Sequence, residues 1–301
     1  MIKQFLFLLI GAVMIVSCSN CANNSTKKDG FGGKNDTVSA DSALPVAPQA
    51  VENLVQNISS PVEMAALIKS LGAPFAQKYM APTNTDNFNT SFSKALNLGI
   101  YGADLGYLNM YNKTSSVIQY ITAIKTLADG ISVGQFFDFS TLKRLATNNE
   151  NIDSLMYISI HSFNVMDNYL RKNNRSNLSA LMIAGVYVEG LYITTQVAKE
   201  RPNKKLAENI GEQKNIYEQL LLILKNYRKD PYFASLIADL ETIQKELDPV
   251  KITIEVGAPI SVEKDGMLTI KQTSKSIVNI SDEVLKRIIK QTEIVRNKII
   301  K

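Results

Sequence analysis

Residues 177–200, "NLSALMIAGVYVEGLYITTQVAKE", decide the fold, because they are apolar or small along most of their length. A helix that is apolar on most of its faces lies at the centre of its domain. We therefore expect residues 177–200 to form a central α-helix around which the other helices pack. A single carboxylate, Glu189, lies in the middle of this helix.

A second predicted helix has the same character. It covers residues 86–112, "DNFNTSFSKALNLGIYGADLGYLNMYN", and it contains the acid Asp104 among small and apolar residues. Glycine in a helix interior is unfavourable by up to about 1 kcal/mol relative to alanine, so it is tolerated where two backbones approach closely. We expect the two helices to pack against each other, or against a common neighbour, through their glycines: Gly99, Gly102, Gly106, Gly185 and Gly190.

The two acids need partners in such surroundings. An unpaired buried carboxylate is highly unfavourable, so each acid must be protonated or hydrogen-bonded. Three roles are open for Asp104 and Glu189: hydrogen-bonded residues that fix the register of the helices, a polar pocket for a small ligand, or an acid–base pair for hydrolysis. The expected donors are the tyrosine hydroxyls within a turn of the acids, which belong to Tyr101, Tyr107, Tyr187 and Tyr192.

His161, in "SIHSFNV", is the only histidine of the chain. A zinc site built on it would need at least two carboxylates, and a Ser-His-acid triad would have this single base without a nucleophile-elbow motif. We expect His161 to be a partly buried helix residue with one satisfied nitrogen, and we expect neither a metal site nor a cofactor. The candidate polar or ligand site therefore consists of five residues: Asp104, Glu189, His161, Tyr101 and Tyr192.

The period of the apolar residues predicts a mainly α protein, an irregular antiparallel helical bundle. Helical patterns extend from about residue 60 to about residue 248, separated by short polar or proline-containing breaks, and no repeat recurs at a fixed interval. Alternating residues with Asp265-Gly266 between them predict a small β-hairpin at about 251–272. A final amphipathic helix is expected at 281–301, with Ser281 as its N-cap.

Composition argues against nucleic acid as a partner. The net charge of +5 results from 33 basic and 28 acidic residues that are spread along the chain, without a dense basic patch. Apolar residues make up 45% of the chain, as is ordinary for a globular protein with a sizeable core.

The first residues have the features of an export signal. Lys3 precedes the apolar run 5–16, which is short for a membrane span but typical of a signal-peptide core. The next residues resemble the lipobox of bacterial lipoproteins, in which two aliphatic or small residues and a small residue precede an invariant cysteine. Here these residues are Ile15, Val16, Ser17 and Cys18.

The resemblance implies that residues 1–17 are a signal peptide and that Cys18 is acylated after cleavage. Several acyl chains would anchor the protein durably, since each buried methylene contributes about 0.8 kcal/mol. Ser19, rather than an aspartate, implies sorting to the outer membrane. Residues 18–45 have the composition of a flexible, lipidated tether, and residues 46–301 form the mostly helical domain. Cys21 is then the only remaining thiol, which excludes an intramolecular disulfide.

These observations lead to two expectations of function. The first is an exported, lipid-anchored protein without catalytic activity, a module that binds an envelope protein partner or a small ligand near the membrane. The second is an envelope hydrolase that uses Asp104, Glu189 and His161. An enzyme predicts that the acids converge at the floor of an open pocket, whereas a binding module predicts that they are sealed and individually bonded.

Overall fold

The computed structural model describes residues 61–148, 152–264 and 267–301. The expected signal peptide, the acylated Cys18, the tether at 18–45 and the thiol of Cys21 lie outside these residues.

The described residues are mainly helical, which confirms the predicted fold class. Within the described residues, nine α-helices surround one shared core, and a two-stranded antiparallel hairpin precedes the last helix. The helices are α1 (Pro61–Ser70), α2 (Ser91–Met110), α3 (Thr114–Gly130), α4 (Phe139–Asn148), α5 (Ile152–Lys172), α6 (Ser176–Glu200), α7 (Lys204–Lys225), α8 (Pro231–Leu247) and α9 (Asp282–Ile299). The strands are β1 (Lys251–Lys264) and β2 (Met267–Asn279), and two short 3-10 helices cover Gln77–Tyr79 and Gly134–Phe136.

Helix α6 is the central helix, as its composition predicts. It is buried on nearly every side from Leu178 to Ala198, and it packs against α1, α2, α5, α7 and α9. By length and composition α6 would also qualify as a membrane span, but 89% of its most apolar window is buried inside the fold. Core helices of soluble domains commonly share this property, so α6 is here a core element.

Helices α2 and α6 make the closest contact between helices. A Cβ atom added to Gly99 would overlap the carbonyl oxygen of Met182, and one added to Gly185 would overlap the carbonyl oxygen of Leu96. The two backbones therefore touch at reciprocal glycines, which confirms that these helices pack through their glycine-lined faces. Gly102 instead faces the ring of Phe163 on α5.

The hairpin is longer than the sequence predicts. Its register extends from Lys251 paired with Asn279 to Lys264 paired with Met267, so β2 ends seven residues beyond the expected position 272. Residues 273–276, "TSKS", are polar, so the alternating pattern stops before the strand ends at Asn279. The expected turn residues, Asp265 and Gly266, lie outside the described residues.

The base of the hairpin packs on the helices. Val250 and Val278 are buried and lie against Gly211 of α7. Helix α9 follows directly, with Ser281 as its N-cap, and packs on α6 and α8. The hairpin and α9 thereby join the same core as the other helices.

Candidate functional site

Asp104 and Glu189 lie together in the interior, between α2 and α6. Both side chains belong to fully buried residues, with 0% of each residue exposed. The reciprocal glycine contact brings the two helices close enough for the carboxylates to interact electrostatically. The two acids therefore share one buried environment.

The main partner of Glu189 is a guanidinium that the sequence analysis did not identify. Arg296 of α9 donates from Nε to Glu189 Oε2 at 2.7 Å and from Nη2 to Glu189 Oε1 at 2.6 Å. Both residues are buried, with Arg296 3% exposed. Two parallel N–H···O bonds of this kind form the strongest and most directional ion pair available to protein side chains.

Arg296 makes three further contacts, of which one is a 3.4 Å hydrogen bond from Nη1 to Asn297 Oδ1. Its Nη2 donates to the carbonyl oxygen of Tyr79 at 3.2 Å, and its guanidinium lies 4.3 Å from the ring centroid of Tyr192, a cation–π arrangement. Burial alone would lower the pKa of Arg296, but the charge and hydrogen bonds of Glu189, followed by the charge of Asp104, raise it above its ordinary value. Arg296 is therefore positively charged at any physiological pH.

Asp104 has a different environment. Its Oδ2 accepts a hydrogen bond from the backbone N–H of Ala81 at 3.0 Å, and its carboxyl group is also within hydrogen-bonding reach of the carboxylate of Glu189. Burial, followed by the negative charge of Glu189, raises the pKa of Asp104 well above its usual range, although Arg296 opposes this. Both effects favour the neutral form of Asp104, and Glu189 is the carboxylate that pairs with Arg296.

The tyrosines do not donate to the acids, and that expectation was wrong. Two of the expected donors, Tyr101 and Tyr107, instead bond to the backbone of residues 73–84, which lie between α1 and α2 and which we call the 73–84 loop. Two further tyrosines, Tyr111 and Tyr120, bond to the same loop. The carbonyl oxygens of this loop accept hydrogen bonds from tyrosine hydroxyls, because buried backbone groups away from regular structure need side-chain partners. The bonds join Tyr111 to Ala73 O, Tyr120 to Ala81 O, and Tyr101 to Pro82 O and Asn84 O, while Ala76 N–H donates to the Tyr107 hydroxyl.

Asp104 and Arg296 belong to the same arrangement. Asp104 accepts from Ala81 N–H and Arg296 donates to Tyr79 O, so both side chains also hold the 73–84 loop. Tyr187, the fourth expected donor, reaches away from the acids to Gln213 O at 3.1 Å. The polar cluster thus connects α2, α6, α9 and the 73–84 loop.

His161 is separate from this cluster. It is an exposed residue of α5, and its ring stacks on that of Tyr157, which is 68% exposed, with the centroids 6.0 Å apart. The expectation of a partly buried histidine was wrong, because α5 turns this face to solvent. An exposed imidazole and two fully buried carboxyls do not form one site.

A groove of about 570 Å³ lies near the end of α6, between that helix and α9. None of the candidate site residues lines it. Its floor is apolar, and lysines and acids form its rim; the lining residues are Ala198, Lys199, Pro202, Asp282, Leu285, Lys286, Ile289, Lys290 and Glu293.

The sequence contained a signal for Arg296. The buried positions of α9 include Ile288, Thr292, Val295 and Arg296, a helical three-and-four spacing that places the arginine on the apolar face. An arginine on that face either extends to solvent or pairs with a buried acid. Glu189 lies 107 residues earlier in the chain, so the pattern of α9 alone does not identify the partner.

The arrangement as a whole is a closed structural cluster. Among the described residues, no group of three or more histidine, cysteine, aspartate or glutamate side chains is placed to hold a metal ion. The acids are bonded within the protein and have no contact with solvent. Comparison with known proteins finds no matching family model, no matching curated protein and no matching solved structure.

Proposed function

We propose that this chain is an envelope-anchored, non-catalytic interaction module that holds a protein partner close to a bacterial membrane. The two acids best suited to chemistry support a non-catalytic role, because they are sealed and engaged by Arg296 and by Ala81 N–H. A hydrolytic pair would need access to substrate and water.

The observation that carries the proposal is the exposed surface of the hairpin. Ile254 and Val256 of β1 are 69% and 73% exposed, although both are β-branched apolar residues on one face of the strand. A two-stranded ribbon is at best marginally stable alone in water, and exposed apolar surface of this kind is typical of contact sites. We assign the contact with the partner to this hairpin.

A photo-crosslinking experiment in intact cells tests the assignment. A photoreactive amino acid at position 254 should capture a protein partner, whereas the same amino acid at position 222 should not. Leu222 is a matched control because it is an apolar side chain, 61% exposed, on a regular helix. Equal capture at the two positions, or none at 254, would contradict the proposal.

The anchor is proposed from the lipobox-like residues Ile15, Val16, Ser17 and Cys18. Acyl chains on Cys18 would hold the protein at a membrane, which we propose to be the outer membrane because Ser19 follows. Metabolic labelling with a fatty-acid analogue should mark the native chain and Cys21→Ser, but not Cys18→Ser. Retention of the label in Cys18→Ser would refute the anchor without affecting the assignment of the hairpin.

A further inference from the structure

The inner half of β1 has a symmetric sequence. Residues 250–256 are "VKITIEV", in which the pattern of apolar and polar residues is the same in both directions from Thr253. The two charged positions are opposite in sign, with Lys251 two residues before the centre and Glu255 two residues after it. Such a segment is complementary to an antiparallel copy of itself.

The outer edge of this segment is accessible. Among the described residues β1 pairs with β2 alone, so its other edge has no strand neighbour there. Lys251, Thr253 and Glu255 are exposed residues, as are Ile254 and Val256, while Ile252 is half-buried. An exposed strand edge presents unpaired backbone donors and acceptors that template pairing with another strand.

The structure limits how far pairing could extend. The register of the hairpin is interrupted between Val256 and Pro259, and a bulge bends the strand and increases its twist. Pro259 has no backbone N–H to donate. At the other end, Val250 is buried and its carbonyl oxygen accepts from Lys214 Nζ at 3.1 Å. The segment that remains for pairing is 251–255.

We infer that the partner of the hairpin is a second copy of this chain, paired edge to edge and antiparallel through residues 251–255 about a two-fold axis at Thr253. This inference rests on the proposed function, in which the hairpin is the contact element. A two-fold contact uses the same patch on both copies, as most homodimers do.

The register follows from charge and side-chain pattern. With Thr253 opposite Thr253 of the second copy, Lys251 lies opposite Glu255 of the second copy, and this pair occurs twice. On the other face, Ile252 lies opposite Ile254 of the second copy, and this pair also occurs twice. The exposed Ile254 thereby gains an apolar cross-strand neighbour. A shift of the axis to residue 252 or 254 places neither lysine opposite a glutamate.

The symmetry gives a direct test with a single cysteine. Residues directly opposite in an antiparallel pair have Cα atoms about 4.5–5.5 Å apart, which is within the reach of a disulfide. Thr253→Cys, in a full-length chain that also carries Cys21→Ser, should therefore cross-link to itself in intact cells under mild oxidation. Ser276→Cys is the control, because position 276 is exposed on β2 beside Ile254 and would lie at least about 14 Å from its own copy, three strand spacings away.

Charge reversal tests the register. Lys251→Glu or Glu255→Lys alone places like charges opposite each other twice, and each should reduce cross-linking of the Thr253→Cys chain by about tenfold. The double variant Lys251→Glu with Glu255→Lys restores both pairs and should restore cross-linking. The double variant also controls for folding, since it contains both substitutions.

The outcomes separate this inference from the proposed function. If Thr253→Cys cross-links no better than Ser276→Cys, or if charge reversal has no effect, pairing of two copies about Thr253 is refuted. If position 254 then still captures a different protein by photo-crosslinking, the hairpin remains a contact element. If position 254 captures nothing above the level at position 222, both proposals fail.

Discussion

At the scale of single residues, the buried charge of Arg296 determines the state of both acids. A buried guanidinium requires one negative charge nearby, and Glu189 provides it through two hydrogen bonds of 2.7 and 2.6 Å. A second negative charge would be in excess, which is why burial and Glu189 raise the pKa of Asp104. We therefore expect either acid to be able to supply the negative charge that balances Arg296, although only Glu189 is placed to accept two hydrogen bonds from it.

A double-mutant cycle measures this substitution. In Glu189→Gln the repulsion on Asp104 disappears, so we expect Asp104 to ionise and to balance Arg296 in part. Asp104→Asn alone keeps the Glu189–Arg296 pair intact and should have a small effect. The double variant leaves the guanidinium without a counter-charge, and it should lose about 3–5 kcal/mol in free energy of unfolding.

The predicted signature is a loss in the double variant that exceeds the sum of the single losses by about 2 kcal/mol, measured by urea unfolding. Lys298→Gln is the control, because Lys298 belongs to an exposed pair with Asp239 and should change stability by about 1 kcal/mol at most. Additive losses at positions 104 and 189 would show that the acids do not exchange roles.

The raised pKa of Asp104 also predicts a pH dependence. Between the ordinary aspartate pKa of about 4 and the raised pKa in the fold, the folded chain binds one more proton than the unfolded chain. The stability contributed by this group is therefore complete below about pH 4 and is lost as the pH rises through the raised pKa. Asp104→Asn stays neutral throughout and does not share this loss.

We therefore expect the stability of the native chain to fall relative to that of Asp104→Asn as the pH increases from about 4 towards neutral. Unfolding of both proteins by urea at a series of pH values measures the difference. Asparagine can still accept a hydrogen bond from Ala81 N–H. The comparison therefore measures the effect of losing a proton at position 104. Parallel curves would mean that Asp104 is ionised in the folded chain.

The sequence predicted this site only in part. Glu189 and Asp104 stand out because each is an acid among apolar residues, and glycines at matching positions predict that their helices meet. Arg296 was missed because a charged residue in an amphipathic helix is ordinarily solvated, and only its spacing of four residues from Thr292 and eight from Ile288 distinguishes it. The hydrogen bonds of the tyrosines could not be predicted, because they depend on the path of the 73–84 loop, whose sequence has no helical or strand period.

At the scale of elements, the contact of α2 with α6 depends on two glycines, which have no side chain to keep the backbones apart. Gly99 and Gly185 allow the helices to approach until the backbone of one meets the Cα of the other. This approach sets the distance between Asp104 and Glu189, so the glycines add the repulsion of Glu189 to the burial that raises the pKa of Asp104. The acids and the glycines form one structural feature.

Gly185→Ala tests this contact. Alanine would favour the helix by up to about 1 kcal/mol, but its methyl group would overlap a backbone carbonyl that cannot rotate away. We expect a net loss of about 2–3 kcal/mol in thermal or urea unfolding, as for overpacked cores. Gly102→Ala is the matched control, since its methyl group would meet the side chain of Phe163, which can shift. Equal losses in the two variants would contradict the reciprocal contact.

At the scale of the whole molecule, the hairpin has two parts with different roles. Its base belongs to the core through Val278 and Val250, whereas Ile254 and Val256 contribute little to the fold because they are mostly exposed. The helical class and the existence of the hairpin could be predicted from periodicity. Its length could not be predicted, because residues 273–276, "TSKS", are polar and interrupt the alternating pattern before Ile277 and Val278.

Substitutions in the two parts should separate stability from binding. Ile254→Thr with Val256→Thr should change the free energy of unfolding by about 0.5 kcal/mol or less, and should reduce capture of the partner. Val278→Ala, at the base, should lose at least about 1 kcal/mol, because it removes buried methyl groups and leaves a cavity. A large loss of stability from the outer substitutions would instead place Ile254 and Val256 in the fold.

The position of Glu189 at the middle of α6 also matters before folding is complete. A helix as long and apolar as α6 is a candidate for insertion into a lipid bilayer while it passes a translocation channel. An acidic side chain at the centre of such a segment opposes insertion by about 2.5–3.5 kcal/mol. If the chain is exported, as we propose, the carboxylate that later binds Arg296 would favour passage across the membrane over arrest within it.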